Sequence, residues 1–178
     1  MLDMSLRKRT TGVNILAVIL VVFIILNMAF IWINSAKVSS ESDKSSTKIA
    51  KTIAEKTVKD FNKLSKNKQQ AKIKETNGKI RSTAHFAEFV PLGFLVLLLM
   101  INILFCKKKI KLVVFCSVLA LLICALCALS DEIHQIFVKG RSFEVKDILT
   151  DTLGSLVGIV CGLIVIVSYK SKKHCFAD

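Results

Sequence analysis

Residues 112–130 read LVVFCSVLALLICALCALS and contain no Asp, Glu, Lys or Arg. A helix of a soluble protein carries one apolar stripe, whereas this stretch is apolar on all sides, which is typical of a helix that crosses a membrane. Three other runs, residues 10–36, 89–106 and 152–169, also lack charge, and the four make up nearly half of the 178 residues. A soluble globular enzyme, a disordered chain and a secreted disulfide scaffold are therefore poor interpretations.

The four apolar runs predict the fold class. A helix needs about 20 mainly apolar residues to cross a bilayer, and we place the spans near residues 13–33, 85–105, 112–130 and 148–169. The prediction is an all-α polytopic membrane helical bundle of about four transmembrane helices, with a basic, partly helical loop after the first. A secretory signal is the alternative for the first run. That run exceeds the roughly 7–15 residues of a signal core and no clear small-x-small cleavage site follows it, so a retained signal-anchor helix fits better.

The spans divide the chain into four parts. They are a basic cytoplasmic N-terminus with the first transmembrane helix at residues 1–36, a polar Lys-rich extracytoplasmic segment at 37–80, a three-helix membrane domain at 81–170 and a cytoplasmic tail at 171–178. We expect a multi-pass protein of the cell membrane with both termini in the cytoplasm.

The orientation rests on basic residues beside the spans. Arg7, Lys8 and Arg9 precede the first helix, whose flanking charge usually dominates, and the tiny basic loop at residues 107–111 holds no acid. The raw count opposes this orientation, because the outer loops would contain more basic residues than the cytoplasmic flanks.

The net charge of +13 lies beside the spans. In a soluble chain it would suggest a nucleic-acid binder, but residues 37–81 alone hold 13 basic and five acidic residues. We therefore predict no nucleic-acid partner. An apolar stripe with spacings of four and three predicts a thin amphipathic helix over residues 46–70. The stripe consists of Ile49, Ile53, Thr57, Phe61 and Leu64. This segment is either a solvated, partly helical loop or a basic helix on anionic lipid head groups or polymers.

The six cysteines indicate packing rather than chemistry. Cys124 and Cys127 have the spacing of a redox or zinc pair, but no second pair and no neighbouring histidine completes a tetrahedral site. We predict no disulfide, no metal site and no cofactor.

Polar residues gather where the second span begins, where the third ends and where the fourth begins. Ionisable groups at membrane depth are costly and usually mark function. Helical spacing places Arg81, His85 and Glu88 on one face, and the three segments lie on the same side of the membrane, extracytoplasmic in the predicted orientation. The predicted pocket consists of Arg81, His85, Glu88, Asp131, Glu132, Gln135, Arg141, Asp147 and Asp151. No catalytic role is assigned.

Two residues on the fourth span are predicted to pack helices. Gly154 and Gly158 continue the stripe of Asp147 and Asp151, and their small size would let another helix approach and keep the carboxylates inside the bundle.

Glu132 is the expected rim residue of the pocket, because it is off the Asp131 face.

The polar cluster has two interpretations. Arg–carboxylate pairs could simply lock the helix ends together. Alternatively, the cluster is a site facing the membrane surface, since arginine forks suit phosphate or carboxylate groups and carboxylates with histidine suit proton transfer or cation binding. His134 is expected to be a loop or interface residue.

Three blocks carry a family resemblance. They are Arg81-x3-His85-Phe86-x-Glu88-Phe89-x2-Leu92-Gly93, then Ser130-Asp131-Glu132-x2-Gln135-x-Phe137-x3-Arg141, then Asp147-x3-Asp151-x2-Gly154-x3-Gly158. Together they resemble the VanZ-like family of small bacterial membrane proteins over about residues 81–166. Asp151 stands where that family usually has Asn, which adds a carboxylate to the pocket.

The resemblance implies an association with resistance to teicoplanin, a lipoglycopeptide antibiotic that acts on the outer face of the Gram-positive membrane. It supplies no known reaction. Three hypotheses follow: a resistance-associated envelope protein that binds a membrane lipid or lipid-linked cell-wall component, a membrane enzyme that modifies a lipid head group or cell-wall precursor, and a structural partner protein. The sequence leaves the enzyme question and the oligomeric state open.

Overall fold

The computed structural model describes residues 2–36, 39–104, 110–139 and 141–175, with side chains for 15–36, 47–104, 110–139 and 141–168. Several residues used in the sequence predictions lie outside this described part. They are the side chains of Arg7, Lys8, Arg9 and Cys175, the basic loop at 107–109, Cys106 and the end of the tail at 176–178.

The described chain is almost entirely helical. Its elements are α1 (Leu2–Ser35), α2 (Ser39–Thr57), a 3-10 turn (Phe61–Lys63), α3 (Lys66–Ile103), α4 (Ile110–Ile136) and α5 (Val145–Cys175). No strand occurs among the described residues. The predicted all-α fold class is confirmed.

In the described part of the chain, four helices are long and apolar enough to cross a membrane. The candidate spans are Ile15–Ser35, Lys66–Ile103, Ile110–Ile136 and Val145–Ser168. Their outward faces are apolar, as with Leu126 and Val167, which are 65% and 66% exposed. Exposed leucine and valine in such numbers suit lipid rather than water. The predicted count of four spans is confirmed.

The polar segment after α1 differs from its prediction. One helix over residues 46–70 was expected, but α2 ends at Thr57 and α3 begins at Lys66, with Asp60 in the left-handed region between them (φ 55°). The buried stripe agrees with its prediction only in part. Phe61 is buried as predicted, whereas Ile49 and Ile53 are exposed and Ala50 and Ala54 are buried instead. Small alanines let α2 pack closely on α3, and periodicity of large apolar residues alone does not reveal that face.

Helix α3 is much longer than the second predicted span. It begins at Lys66 instead of residue 85, so its polar first half extends the apolar second half without a break. Glu75 on this polar half pairs with Lys72 and Lys79, both at 2.8 Å, at the spacings that support an exposed helix. The predicted domain boundary at 80/81 falls inside this helix and stays a sequence prediction.

The contact between α3 and α5 is built on glycines. A Cβ atom at Gly154 would overlap the backbone of Phe86, and one at Gly158 would overlap the backbone of Val90. From the other side, a Cβ at Gly93 would overlap the backbone of Ser155. The two helices therefore touch backbone to backbone, as small residues permit in membrane bundles. The structure places both predicted packing glycines in this contact.

Helix α1 completes the bundle against α3 and α4. Its Ile31 is fully buried and belongs to the apolar core with Phe89, Leu92 and Cys124. Since α1 ends at Ser35, its last turn lies beside the start of the apolar half of α3 and the end of α4. This position brings the end of α1 to the polar residues described next.

Candidate functional site

Buried polar side chains concentrate at one end of the bundle. Ser35, Asp131, Glu132 and Asp151 are all 0% exposed, and Gln135 is 1% exposed. They come from the end of α1, the end of α4 and the start of α5, and α3 adds His85 at 7%. Because burial of unpaired polar groups is costly, the contacts among these residues decide what the cluster can do.

Three of these side chains form a compact group, which we call the His–Asp–Asp trio: His85, Asp131 and Asp151. One potential ligand atom from each lies within 4.8 Å of the other two. His85 Nδ1 is 3.8 Å from Asp151 Oδ2, too far for a direct hydrogen bond. The trio takes one residue from each of α3, α4 and α5, so its geometry depends on how the three helices pack.

Asp131 is oriented by two donors on one of its oxygens. Ser35 Oγ donates to Asp131 Oδ2 at 2.8 Å, and Gln135 Nε2 donates to the same oxygen at 2.9 Å. Asp131 Oδ1 is buried and has no hydrogen-bond partner among the described residues. The carboxylate is thus fixed through Oδ2 while Oδ1 stays available to a further group.

Glu132 anchors the segment between α4 and α5. Its Oε1 accepts from Gln135 Nε2 at 3.0 Å, and its Oε2 accepts from the backbone N–H of Glu144 at 2.8 Å. The expectation that Glu132 is a rim residue was wrong. The segment at 141–144 folds back over the end of α4 and covers this side chain, although it is off the Asp131 face.

Arg141 joins the same hydrogen-bond network through Gln135. Its Nη1 donates to Gln135 Oε1 at 3.2 Å, so Gln135 contacts two carboxylates through one end and a guanidinium through the other. Burial lowers the pKa of Arg141 from its ordinary value, and the nearby charge of Arg81 adds to that effect. Asp131, Asp147 and Glu132 oppose it. Arginine nevertheless stays protonated at physiological pH, because a guanidinium group is a very weak acid.

Two guanidinium groups at this end of the bundle have N–H donors without an acceptor among the described residues. Arg81 Nε and Arg141 Nε are buried and have no hydrogen-bond partner among the described residues. Asp147, in the first turn of α5, is half-buried and close enough to interact electrostatically with Arg141 and His85. A cluster with unsatisfied cationic donors suits an anionic group such as phosphate.

Glu88 lies at the α1 side of the cluster. It accepts a hydrogen bond from Asn34 Nδ2 at 2.9 Å, and its charge also acts on Asp151. With Glu88, all nine predicted pocket residues lie at the same end of the bundle. Whether they bind a ligand remains a prediction.

The comparison with known families assigns the chain. The model of the VanZ/LLP1 family matches residues 18–166, which is most of the sequence. The chain belongs to the VanZ/LLP1 family. No curated protein and no solved structure matches it.

The VanZ/LLP1 match begins in α1, whereas the three motif blocks that carried the resemblance begin at Arg81. It therefore includes Asn34 and Ser35, which contact Glu88 and Asp131 and were not predicted as site residues. They are two polar residues at the end of a charge-free run, on the side of the bundle where the other polar residues gather. That position was the available signal for α1 as part of the site.

A second contribution of α1 to this VanZ/LLP1 site is aromatic. The Trp32 ring stacks on His134 with centroids 5.5 Å apart and an interplanar angle of 15°. This contact suits the expected interface role of His134. It also packs the ends of α1 and α4 together beside the pocket.

The described cysteines take no part in the polar cluster. Cys116, Cys124, Cys127 and Cys161 form no disulfide among the described residues, and Cys116 and Cys124 are buried in the apolar core. They pack as small apolar residues.

Proposed function

We propose that this VanZ/LLP1 membrane protein contributes to resistance to the glycopeptide teicoplanin by binding the phosphate of a membrane lipid or of a lipid-linked cell-wall component at the polar end of its bundle. The observation that carries the proposal is the pair of buried, unpartnered Nε donors of Arg81 and Arg141. A guanidinium can bind phosphate through two parallel hydrogen bonds, so these donors match a phosphodiester or pyrophosphate group.

The polar segment after α1 supports a lipid-facing role. Because α2 follows the end of α1, the α2–α3 hairpin leaves the bundle on the side of the polar cluster. Its exposed lysines include Lys48 and Lys51, and the neighbouring Ile49 and Ile53 are also exposed. Each lysine near an anionic membrane surface contributes about 1 kcal/mol of attraction. Lipids with negative head groups would thus be concentrated beside the pocket.

We place the polar end on the outer face of the cell membrane of a Gram-positive bacterium, with both termini in the cytoplasm. A Thr52→Cys variant tests this orientation, since Thr52 is exposed on α2 and residues 37–81 contain no native cysteine. A membrane-impermeant maleimide should label Thr52→Cys in intact cells to at least the extent seen in lysed cells. The wild type is the background control. Labelling only after lysis would place the pocket in the cytoplasm.

The function is tested by expression in a susceptible Gram-positive host. We expect the wild type to raise the inhibitory concentration of teicoplanin at least about four-fold over the empty vector. Arg141→Gln should lose most of that effect, because a hydrogen bond between charged groups is worth about 1.5–3 kcal/mol. Vancomycin is measured in parallel. Lys139→Gln is the matched control, since Lys139 lies two residues away, carries the same charge and is exposed.

Two results would contradict the proposed function. One is an unchanged teicoplanin concentration with wild-type protein present in the membrane. The other is equal resistance from wild type and Arg141→Gln. Loss of Arg141→Gln protein from immunoblots would instead favour the structural-partner hypothesis.

Direct binding distinguishes the sources of the phosphate. Purified protein in detergent is heated with short-chain phosphatidylglycerol, undecaprenyl phosphate or inorganic phosphate. We expect one of the two lipids to raise the unfolding temperature of wild type and of Lys139→Gln, but not of Arg141→Gln. Stabilisation by inorganic phosphate alone would identify a free anion as the ligand.

A second candidate function is a membrane enzyme that modifies a lipid head group or cell-wall precursor. The observation that favours it is an imidazole beside two buried carboxylates, a combination used in proton transfer. Lipid and precursor profiles of strains with wild type and with Asp131→Asn should then differ. Identical profiles at equal protein levels would exclude this chemistry.

A further inference from the structure

Asp151 presents an electrostatic problem inside the bundle. Its side chain is 0% exposed, and neither carboxylate oxygen has a hydrogen-bond partner among the described residues. The charges that act on it most strongly are those of other carboxylates, Asp131, Asp147, Glu132 and Glu88. An ionised carboxylate in such surroundings is too costly to persist alone, so a positive partner must accompany it. The candidates are a proton and a cation.

The groups facing Asp151 have the arrangement of metal ligands. The His–Asp–Asp trio brings an imidazole nitrogen and two carboxylate oxygens within 4.8 Å of one another. An ion about 2.1 Å from two ligand atoms in a tetrahedral site places those atoms about 3.4 Å apart. The 3.8 Å between His85 Nδ1 and Asp151 Oδ2 is already close to that separation.

Each residue of the His–Asp–Asp trio also has a potential ligand atom without a hydrogen-bond partner among the described residues. His85 Nδ1 and Asp131 Oδ1 are buried and, like the Asp151 oxygens, have no hydrogen-bond partner among the described residues. The second oxygen of Asp131 is held by Ser35 and Gln135. Metal-binding carboxylates typically have their outer oxygen oriented in this way by neighbouring donors. Ion pairs that merely lock the helix ends together do not explain four buried atoms without a hydrogen-bond partner among the described residues, or a carboxylate oriented through its other oxygen.

We infer that His85, Asp131 and Asp151 bind a divalent transition-metal ion, zinc or manganese, at the polar end of the bundle. One imidazole nitrogen with carboxylate oxygens suits these ions better than magnesium or calcium, which prefer oxygen ligands only. The ion joins α3, α4 and α5 at one point and offsets the charge of the two buried carboxylates. Three protein ligands leave a coordination position open to water or to an anion. The site does not depend on the proposed lipid function.

Metal analysis of the full-length protein tests the site. The protein is purified in detergent through a tag without histidine, loaded with Zn²⁺ or Mn²⁺, and dialysed against metal-free buffer. Elemental analysis should find about one ion per chain in the wild type and less than about a tenth of that in His85→Phe and Asp151→Asn, because each loses one of three ligands.

Two matched controls separate ligand loss from general damage. His134→Phe removes the other histidine at this end and keeps a ring that can stack on Trp32. Glu75→Gln neutralises a carboxylate on the exposed half of α3. Both should retain the ion. Unchanged metal content in His85→Phe and Asp151→Asn would overturn the assignment.

A measurement on the wild type tests the site even if the variants fail to fold. Chelation should lower its unfolding temperature by about 5 °C, and Zn²⁺ or Mn²⁺ should restore it, because a ligand that binds only the folded state stabilises it. No bound ion and no shift with chelator would overturn the inference and leave a proton as the partner of Asp151. Preferential binding of Mg²⁺ or Ca²⁺ would overturn it as well. Resistance and lipid binding do not enter these readouts, so the outcome is independent of the proposed function.

Discussion

Leucine at Gly158 is expected to prevent the bundle from forming. A Cβ atom at this position would overlap the backbone of Val90 and approach that of Phe94, and backbone cannot move aside as a flexible side chain can. Overpacking of a core typically costs about 1–3 kcal/mol. A whole leucine side chain between two touching backbones should exceed that range. We expect Gly158→Leu to fall below about a tenth of wild-type membrane protein, since a few kcal/mol is a large share of total stability.

Gly78 provides the matched control for that substitution. It also lies within a long helix, α3, but a Cβ atom built on it meets nothing within 4 Å. Leucine is a better helix former than glycine by roughly 0.5–1 kcal/mol. Gly78→Leu should therefore accumulate at least as well as wild type. The measurement is size-exclusion chromatography of detergent extracts after heating. Equal behaviour of the two variants would mean that α3 and α5 do not touch at their glycines.

The parts of the fold that the sequence predicted are those imposed by the bilayer. Lipid requires apolar residues on all sides of a span, so the run at 112–130 alone indicated α4 and the other runs indicated their partners. The spacing of Gly154 and Gly158 likewise indicated a close helix contact, because only small residues permit one. These features depend on local composition and spacing, which a sequence states directly.

The parts that differed depend on neighbours distant in the chain. Helical periodicity separates Glu132 from the Asp131 face, but the path of the segment at 141–144 decides that Glu132 is buried. In the same way, the position of Ser35 at the end of α1 does not identify its partner, because Asp131 follows 96 residues later in the chain. The stripe of α2 differed because small Ala50 and Ala54, rather than the larger isoleucines, are its fully buried residues.

Asp151 needed both the sequence and the structure for its interpretation. The resemblance indicated an added carboxylate where the VanZ-like family usually has Asn. The structure places that carboxylate fully buried, without a hydrogen-bond partner among the described residues and 3.8 Å from His85. Asparagine would bring no charge to this point. A site that accepts a carboxylate here must supply a positive partner for it.

The second large effect is expected from Glu132. In Glu132→Ala, the Glu144 N–H loses its acceptor and the Gln135 amide loses one of its two carboxylates. Each donor left unsatisfied in a buried place costs about 1–3 kcal/mol, and the deleted side chain adds a cavity. The removal of a buried negative charge offsets part of this loss. We expect a net destabilisation of about 2–4 kcal/mol, measured as a lower unfolding temperature in detergent.

The expected loss has a specific structural consequence. The hydrogen bond from Glu144 holds the segment that carries Arg141, and Gln135 in turn holds the Arg141 guanidinium at 3.2 Å. Glu132→Ala should therefore release the arginine that we assign to phosphate and lower teicoplanin resistance together with stability. Glu144→Ala is the matched control. Its exposed side chain takes no part in this network, which uses only its backbone N–H, so its stability should stay within about 0.5 kcal/mol of wild type. Comparable losses in the two variants would show that charge in this segment, rather than the buried anchor, sustains the site.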